Sequence, residues 1–483
     1  MQCAIGRSIF RDSLTWLVLV PLAALAASAA DSLLWYRQPA SDDKLIEQGL
    51  PLGNGRMGCM LSGGIVRERI QFNEQSLWSG DNNWDGAYEC GDHGFGAYRT
   101  FGDLTIVWHA PDDNPAGGSS RDPAEGRDQS APASGGVPTP ADYRRALDIA
   151  TGIHTTTFTR HNVTFTREAF ASHPDQVLVF RYTASKPGAL AGRISLKSGQ
   201  SADTRTTEQN LFFAGEMPNR LKHACVVRCT HTGGSVTVDG NELVFRNCDD
   251  LTLLLDARTN YRPDYEAGWR GADPLPRIEQ ELTAAQAKSY DDLRRAHLAD
   301  LTALLDRVAL DIGATEPDVL SLPTDARLKR YAEGKADPEL EVTMFCYGRY
   351  LLASCSRPGG LPANLQGLWN DSNTPPWASD YHNNINVQMN YWGAESTHLP
   401  ECHLPLMDFV LAAREPCRIA TRKAFGDKTR GWTARTSQNI FGGNGWEWNI
   451  PASAWYAQHL FEHWAFTEDK EYLATIAYPV IKE

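Results

Sequence analysis

Beyond residue 30 the chain has no apolar run that approaches the roughly twenty residues needed to cross a bilayer, which excludes a multi-spanning membrane protein. It also lacks a basic surplus. The 46 Lys and Arg are outnumbered by 59 Asp and Glu, for a net charge of −13, which argues against nucleic acid as a partner. There is no cysteine framework either: the ten cysteines are scattered, and nine remain once Cys3 leaves with the N-terminal segment. Cys225 and Cys229 share one face of an alternating, strand-like segment, and two thiols on the same short strand read as packing rather than a disulfide. Gly53 and Gly55 form a Gly-x-Gly pair, but no helix follows it. The strand, turn and helix that a dinucleotide site needs are therefore missing.

What is present begins with a leader. Arg7 and Arg11 open residues 1–30, an apolar run follows over 14–27, and Ala27, Ser28, Ala29 and Ala30 supply a cleavage site. This predicts export, to the periplasm or the medium, and no membrane attachment after cleavage; a retained anchor is the alternative. Residues 31–275 show short alternating runs split by glycine-rich turns and no 3.6-residue period, the pattern of a large antiparallel sandwich. Within them, 110–139 is rich in Pro, Gly, Ser and Asp and reads as a flexible insertion. Helical periodicity begins at Glu279 and continues through a linker, 276–335. Long helices then alternate with loops over 336–483, at 340–354, 386–396, 404–424, 452–465 and 470–477. Pro479 fits the first turn of one more helix.

The densest chemistry lies at 361–392, LPANLQGLWNDSNTPPWASDYHNNINVQMNYW. Trp369, Trp377, Tyr381, Tyr391 and Trp392 offer flat faces to a pyranose ring. Asn364, Gln366, Asn370, His382, Asn383, Asn384, Asn386 and Asn390 offer donors and acceptors for hydroxyls. Buried amides must all find partners, so this many implies a solvated loop or a site whose partner is a ligand.

In four blocks the chain resembles glycoside hydrolase family 95, whose members include inverting α-L-fucosidases and some α-L-galactosidases. The blocks are LPLGNGRMGCMLSGGIVRERIQFNEQSLWSG, YGRYLLASCSRPGGLPANLQGLWNDSNTPPW, YHNNINVQMNYWGAESTHLPECHLPL and GWTARTSQNIFGGNGWEWNIPASAWYAQHLFEHWAF. The resemblance implies an N-terminal antiparallel β-sandwich, a helical linker and an (α/α)6 toroid, of which this chain holds the first half. It implies that Asn384 and Asn386 position the hydrolytic water together with a distant Asp, and that a Glu serves as general acid. His382 and Glu447 become sugar contacts, joined by Trp369, Trp377 and Trp392. The implied partner is a fucosylated or L-galactosylated glycan, with no metal and no cofactor. The family's acid lies in a Ser-Pro-Glu-Asn-like segment after the HLFEHW helix, and its Asp later still. This sequence matches neither, so the expectation is an N-terminal portion that lacks both carboxylates and does not turn over.

An asparagine is no base at neutral pH, so its carbonyl can orient and polarise water but not accept the proton. Inversion therefore needs two carboxylates with a water between them. Two rival functions remain open: a carbohydrate-binding remnant without catalysis, and a sugar phosphorylase, which would need a phosphate site and a cytoplasmic home. The segment His459-Leu-Phe-Glu462-His463 fits the H-x-x-E-H pattern of some zinc peptidases. Its helix is crowded with Trp455, Tyr456, Leu460, Phe461 and Trp464 and no third ligand is signalled, which favours structural histidines.

Overall fold

A computed structural model describes residues 32–109 and 138–483; the leader and nearly all of the predicted insertion lie outside these. Two antiparallel sheets fill the first half. One has nine strands, from the edge strand Leu33–Tyr36 through Val163–Ser172, Val177–Ala184, Asp250–Thr259 and Lys222–Thr232 to Arg205–Thr206. The other has seven, from Ser235–Asp239 through Leu190–Ser198, Gly102–Trp108 and Arg67–Glu74 to Leu50–Gly53. Alternate side chains of facing strands, among them Phe72, Leu104, Ile106, Ile194, Phe180 and Leu253, interdigitate as one buried core. Trp108 of one sheet meets Tyr182 of the other at 5.0 Å between ring centroids. The chosen hairpin at 53–57 has Gly55 at φ +87°, so the Gly-x-Gly is a turn between strands and not a phosphate loop.

The nine-stranded sheet also buries its outer face. Helix Leu275–Gln286 lays Ile278 and Leu282 against Phe170, Val177, Val179 and Val226, which explains why those strands are apolar on both sides. Helix Tyr290–Leu305 follows, its N-terminus capped by Ser289, whose side chain accepts from the Asp292 amide. Cys225 and Cys229 are buried with free thiols in strand Lys222–Thr232, each pushed up by burial, Cys229 to about 12.

The second half is helical. Helix Pro338–Cys355 starts at Asp337, which accepts from the Leu340 amide and pairs with Arg327 at 2.6 Å. Asn386–Ser396, Pro400–Phe425 and Ala452–Thr467 are the next long helices. The turns over 470–482 run on without a break through a π-type stretch, Leu473–Ala477, so Pro479 enters a helix already under way. None of the helices among the described residues is long and apolar enough to cross a membrane. The architecture is thus the expected one: an antiparallel sandwich, a helical linker, and helices arranged as in a toroid.

The halves are joined by hydrogen bonds rather than by a hinge. Trp369 Nε1 donates to Leu52 O and Tyr350 Oη to Pro51 O, both at 2.9 Å, and Tyr98 Oη donates to Leu368 O at 2.8 Å. Gln71 and Asn73 side chains both donate to Asn370 O at 2.9 Å.

Candidate active site

The loop between helices Pro338–Cys355 and Asn386–Ser396 carries the residues of interest. Pro358, Pro362, Pro375 and Pro376 with Gly359, Gly360 and Gly367 keep long helices and strands out of it, leaving a single short turn, Pro376–Ser379, before its last part. Its last part recovers order as strand Tyr381–His382, which pairs with Ala434–Gln438, which in turn pairs with Asn444–Asn449. This small sheet brings His382, the start of the Asn384-Ile-Asn386 element and Glu447 together, although 62 positions separate the first Asn from the Trp446 that precedes Glu447.

His382 is held rather than free. Asp380, fully buried, receives the His382 Nδ1 proton on Oδ1 at 2.9 Å and the Tyr88 hydroxyl proton on Oδ2 at 2.8 Å. A carboxylate on Nδ1 fixes the ring's orientation and tautomer and leaves Nε2 for a ligand. Burial, together with the charge of Asp380, keeps the Tyr88 hydroxyl protonated far above its usual range, so it remains a donor. Ser437 Oγ sits 3.3 Å from the same His382 nitrogen.

The asparagines divide into two kinds. Asn383 is fully buried: its amide nitrogen donates to Arg435 O and to Gln438 Oε1, and its oxygen accepts from Asn449 at 2.9 Å. Asn364 and Asn370 are buried too, bonded to turns of their own loop and to Tyr98 O. These amides hold the loop, so the crowd of polar side chains is partly a folding device and only partly a site. Asn384 and Asn386 are exposed, the latter at the first turn of its helix, and neither side chain is bonded to another described residue.

The predicted aromatic contacts also separate. Trp377 and Trp392 are exposed, whereas Trp369 is buried with its indole N–H committed to the sandwich. Trp369 lines a different cavity of about 490 Å³, with Tyr347, Leu351, Gln366 and Asn390. Another, of about 740 Å³, lies under Tyr36, Tyr331 and Met344. Neither cavity is lined by His382, Asn384, Asn386 or Glu447, so size does not locate the chemistry here. Glu447 is exposed on strand Asn444–Asn449, its backbone oxygen accepting from Thr436 Oγ1 at 3.2 Å.

Below the site the H-x-x-E-H histidines do find more partners than the sequence signals. His463 Nδ1 and His403 Nδ1 both meet Glu395 Oε1, at 2.6 and 2.8 Å, and His403 Nε2 meets His459 Nδ1 at 3.0 Å. Glu395, His403 and His463 place their atoms within 4.8 Å of one another, while the motif's own Glu462 is partly exposed and is not among them. Two ligands of a zinc ion at about 2.0–2.1 Å stand roughly 3.3 Å apart. The spacings here are those of hydrogen bonds, and the group ties three helices together. Burial raises the Glu395 carboxyl, but the two imidazole donors more than offset this and hold it at about 2.

With this geometry in place, likeness to known proteins becomes informative. Residues 289–483 match the glycosyl hydrolase family 95 catalytic domain. Over this span the chain is similar to that family. Residues 34–95 and 131–264 match the glycosyl hydrolase family 65 N-terminal domain. Alpha-L-fucosidase 2 of Arabidopsis thaliana is 30% identical over 90% of this chain and 56% of its own length. A probable alpha-fucosidase A of Aspergillus niger is 29% identical over 95% of this chain and 60% of its own. The chain thus spans somewhat over half the length of these relatives. A solved structure described as a putative kojibiose phosphorylase from human microbiome has a TM-score of 0.56 over 93% of this chain and 59% of that one, at 9% identity. That likeness concerns the fold alone.

Sequence reasoning passed over Asp380, Tyr88 and Ser437. Asp380 had a usable signal, since i and i+2 share a face of an extended segment and a carboxylate so placed can hold His382. Tyr88 had none, because it arrives from a sandwich loop 292 positions away from Asp380.

Proposed function

We propose that this chain carries the sugar-binding and water-orienting part of an exported glycoside hydrolase that removes terminal α-L-fucose, or α-L-galactose, from glycans with inversion. The observation that carries the reading is the pair of exposed, uncommitted amides of Asn384 and Asn386 beside a His382 locked by Asp380 and Tyr88. The family of residues 289–483 and the two fucosidase relatives support the substrate class.

In this reading His382 Nε2 and Glu447 bond sugar hydroxyls. The side-chain amides of Asn384 and Asn386 hydrogen-bond one water and turn a lone pair toward the anomeric carbon, leaving one of its O–H groups for a carboxylate. An amide cannot take up the proton, so a carboxylate must receive it while an acid protonates the leaving oxygen on the opposite face. No described residue is assigned either role. The reading therefore predicts sugar binding by this chain with hydrolysis far below enzyme rates.

The test is a calorimetric titration of the chain with L-fucose, next to an assay with an aryl α-L-fucoside, with and without inorganic phosphate. Saturable fucose binding that His382→Ala weakens is expected. Absence of binding sinks the reading, and turnover in the ordinary range of about 1 to 10³ s⁻¹ would place both carboxylates among the described residues. A rate that depends on phosphate would favour a phosphorylase. Residues 1–30 enter the same proposal as a cleaved leader. Protein recovered from the periplasm or medium should have an intact mass that starts near residue 31, and a mass retaining Met1 overturns that part.

A further inference from the structure

The cavity of about 740 Å³ has no part in the roles above, since none of the candidate site residues lines it. Its walls come from edge strand Leu33–Tyr36, strand Arg144–Asp148, and helices Thr324–Ala332 and Pro338–Cys355. Most of the wall is apolar. Leu34, Leu50, Pro51 and Met60 are buried in it, whereas Leu328 and Met344 stand 51% and 79% exposed. Arg145 lines the same cavity, although the residue is only 3% exposed.

This arginine is buried and unpaired. Arg145 sits opposite Tyr36 in the sheet, with its guanidinium carbon 4.6 Å from the centre of the Tyr36 ring. Nε donates to Gln38 O at 2.7 Å, but neither Nη1 nor Nη2 has a hydrogen-bond partner among the described residues. The acids around it do not neutralise it. Glu68 is committed to Arg167 at 2.6 Å and to the Gly63 amide at 2.9 Å, and Asp325 is exposed and makes no bond to Arg145. The stem is packed tightly as well, since a Cβ on Gly63 would lie 2.9 Å from Arg145 Cδ. A buried cation without a partner is expensive, so a fold that keeps one points to a counter-charge that arrives from outside.

We propose that this cavity is a ligand site, separate from the sugar site, for a monocarboxylate with an aromatic or aliphatic body, whose two oxygens meet Nη1 and Nη2 of Arg145. The free ends of a guanidinium form a planar fork that matches a carboxylate in a bidentate pair. The volume lies in the range of small-molecule pockets and far exceeds what a lone ion needs, and the apolar wall suits a hydrocarbon body. Charge at the rim narrows the choice. Glu47, Asp325 and Glu341 also line the cavity and are all exposed, against one exposed cation, Arg37. They repel sulfate or phosphate in solution, whereas a monocarboxylate gains the burial of its body to offset that repulsion. The assignment does not rest on the fucosidase reading.

The test is a calorimetric titration of the full chain with 4-phenylbutanoate, beside the uncharged 4-phenylbutanamide and inorganic sulfate. The carboxylate should bind saturably and at least tenfold tighter than the amide, with no binding of sulfate. Arg145→Met removes the charge and keeps most of the stem. It should abolish carboxylate binding without lowering the urea midpoint, because it deletes a buried charge that has no partner. Met344→Glu changes an exposed side chain of the wall, leaves the fold intact and adds an anion, so it should weaken carboxylate binding at least threefold. His382→Ala should leave that affinity unchanged, which separates the two sites. Equal affinity for carboxylate and amide, or no saturable binding of the carboxylate, overturns the assignment. So does an Arg145→Met chain that binds as the unaltered one does; if that variant does not fold, an unchanged affinity in Met344→Glu overturns it instead.

Discussion

At the scale of single residues, the run Asn383-Asn384-Ile385-Asn386 shows one side-chain type put to opposite uses. Asn383 donates twice and accepts from Asn449 inside the protein, so truncating it leaves several buried groups without partners, each worth about 1–3 kcal/mol. Asn384 faces solvent and bonds to no described residue. Asn383→Ala should therefore lower the unfolding free energy by about 3 kcal/mol in urea titrations, whereas Asn384→Ala should stay within about 0.5 kcal/mol. Equal effects would contradict the division. Asp380 is the other decisive position, because one carboxylate serves both Tyr88 and His382. Asp380→Asn puts an amide where His382 Nδ1 needs an acceptor. It should weaken L-fucose binding by about tenfold, equivalent to roughly 1.4 kcal/mol, and change the His382 tautomer seen by ¹⁵N NMR. An unchanged tautomer would show that Asp380 does not position the ring.

At the scale of elements, three helices owe their arrangement to one acid and three imidazoles. Glu395 comes from Asn386–Ser396, His403 from Pro400–Phe425, and His459 and His463 from Ala452–Thr467. His403→Leu removes the central member and leaves Glu395 and His459 short of partners in the interior, which should cost about 3–5 kcal/mol and lower Tm by several degrees. The pH dependence has a definite sign. Burial and the neighbouring His403 push His459 down to about 3, and burial lowers His403 as well. The unfolded imidazole titrates near 6.5, so between there and about 3 the unfolded chain binds the proton that the folded one refuses. Burial sets His154 at about 3 and His223 at about 4 in the sandwich, which adds to the same slope. Glu395 acts in the same direction at lower pH, since its contribution is complete above about 4.5 and is lost toward 2. Stability should be flat from pH 7 to 8 and fall below pH 6.5, by up to about 1.4 kcal/mol per pH unit for each such histidine. Urea midpoints at pH 8, 7, 6 and 5 check this, and a midpoint that rises on acidification contradicts it.

At the scale of the whole molecule, the sandwich helps to build the candidate site and is not an appendage. It supplies Tyr88 to Asp380, stacks Trp78 on Tyr381 at 5.9 Å, and grips the loop through Leu52, Gln71, Asn73 and Tyr98. Gly58 lies at one close approach of the halves: a Cβ there would sit 2.8 Å from both Leu368 Cδ2 and Trp369 Nε1. Gly58→Ala should therefore disturb both halves at once, lowering the urea midpoint and weakening L-fucose binding together, while the unaltered chain unfolds in one transition by fluorescence and circular dichroism. Two separated transitions would refute the coupling. Much of this was legible in the residue pattern. Strands over 163–168 and 176–182 follow from short apolar and β-branched runs bounded by turn residues, a local property that sequence carries directly, and the helix expected over 386–396 is the one observed. The resemblance in the family blocks is what singles out His382, Asn384, Asn386 and Glu447 as candidates. Burial and partnership were not legible. That Trp369 is committed to Leu52 while Trp377 stays open, that Asn383 holds while Asn384 waits, and that Glu395 rather than Glu462 completes the histidine cluster depend on contacts between segments far apart in the chain. Identical side chains acquire different roles through desolvation and the neighbours they meet, and those exist only after the two halves have packed.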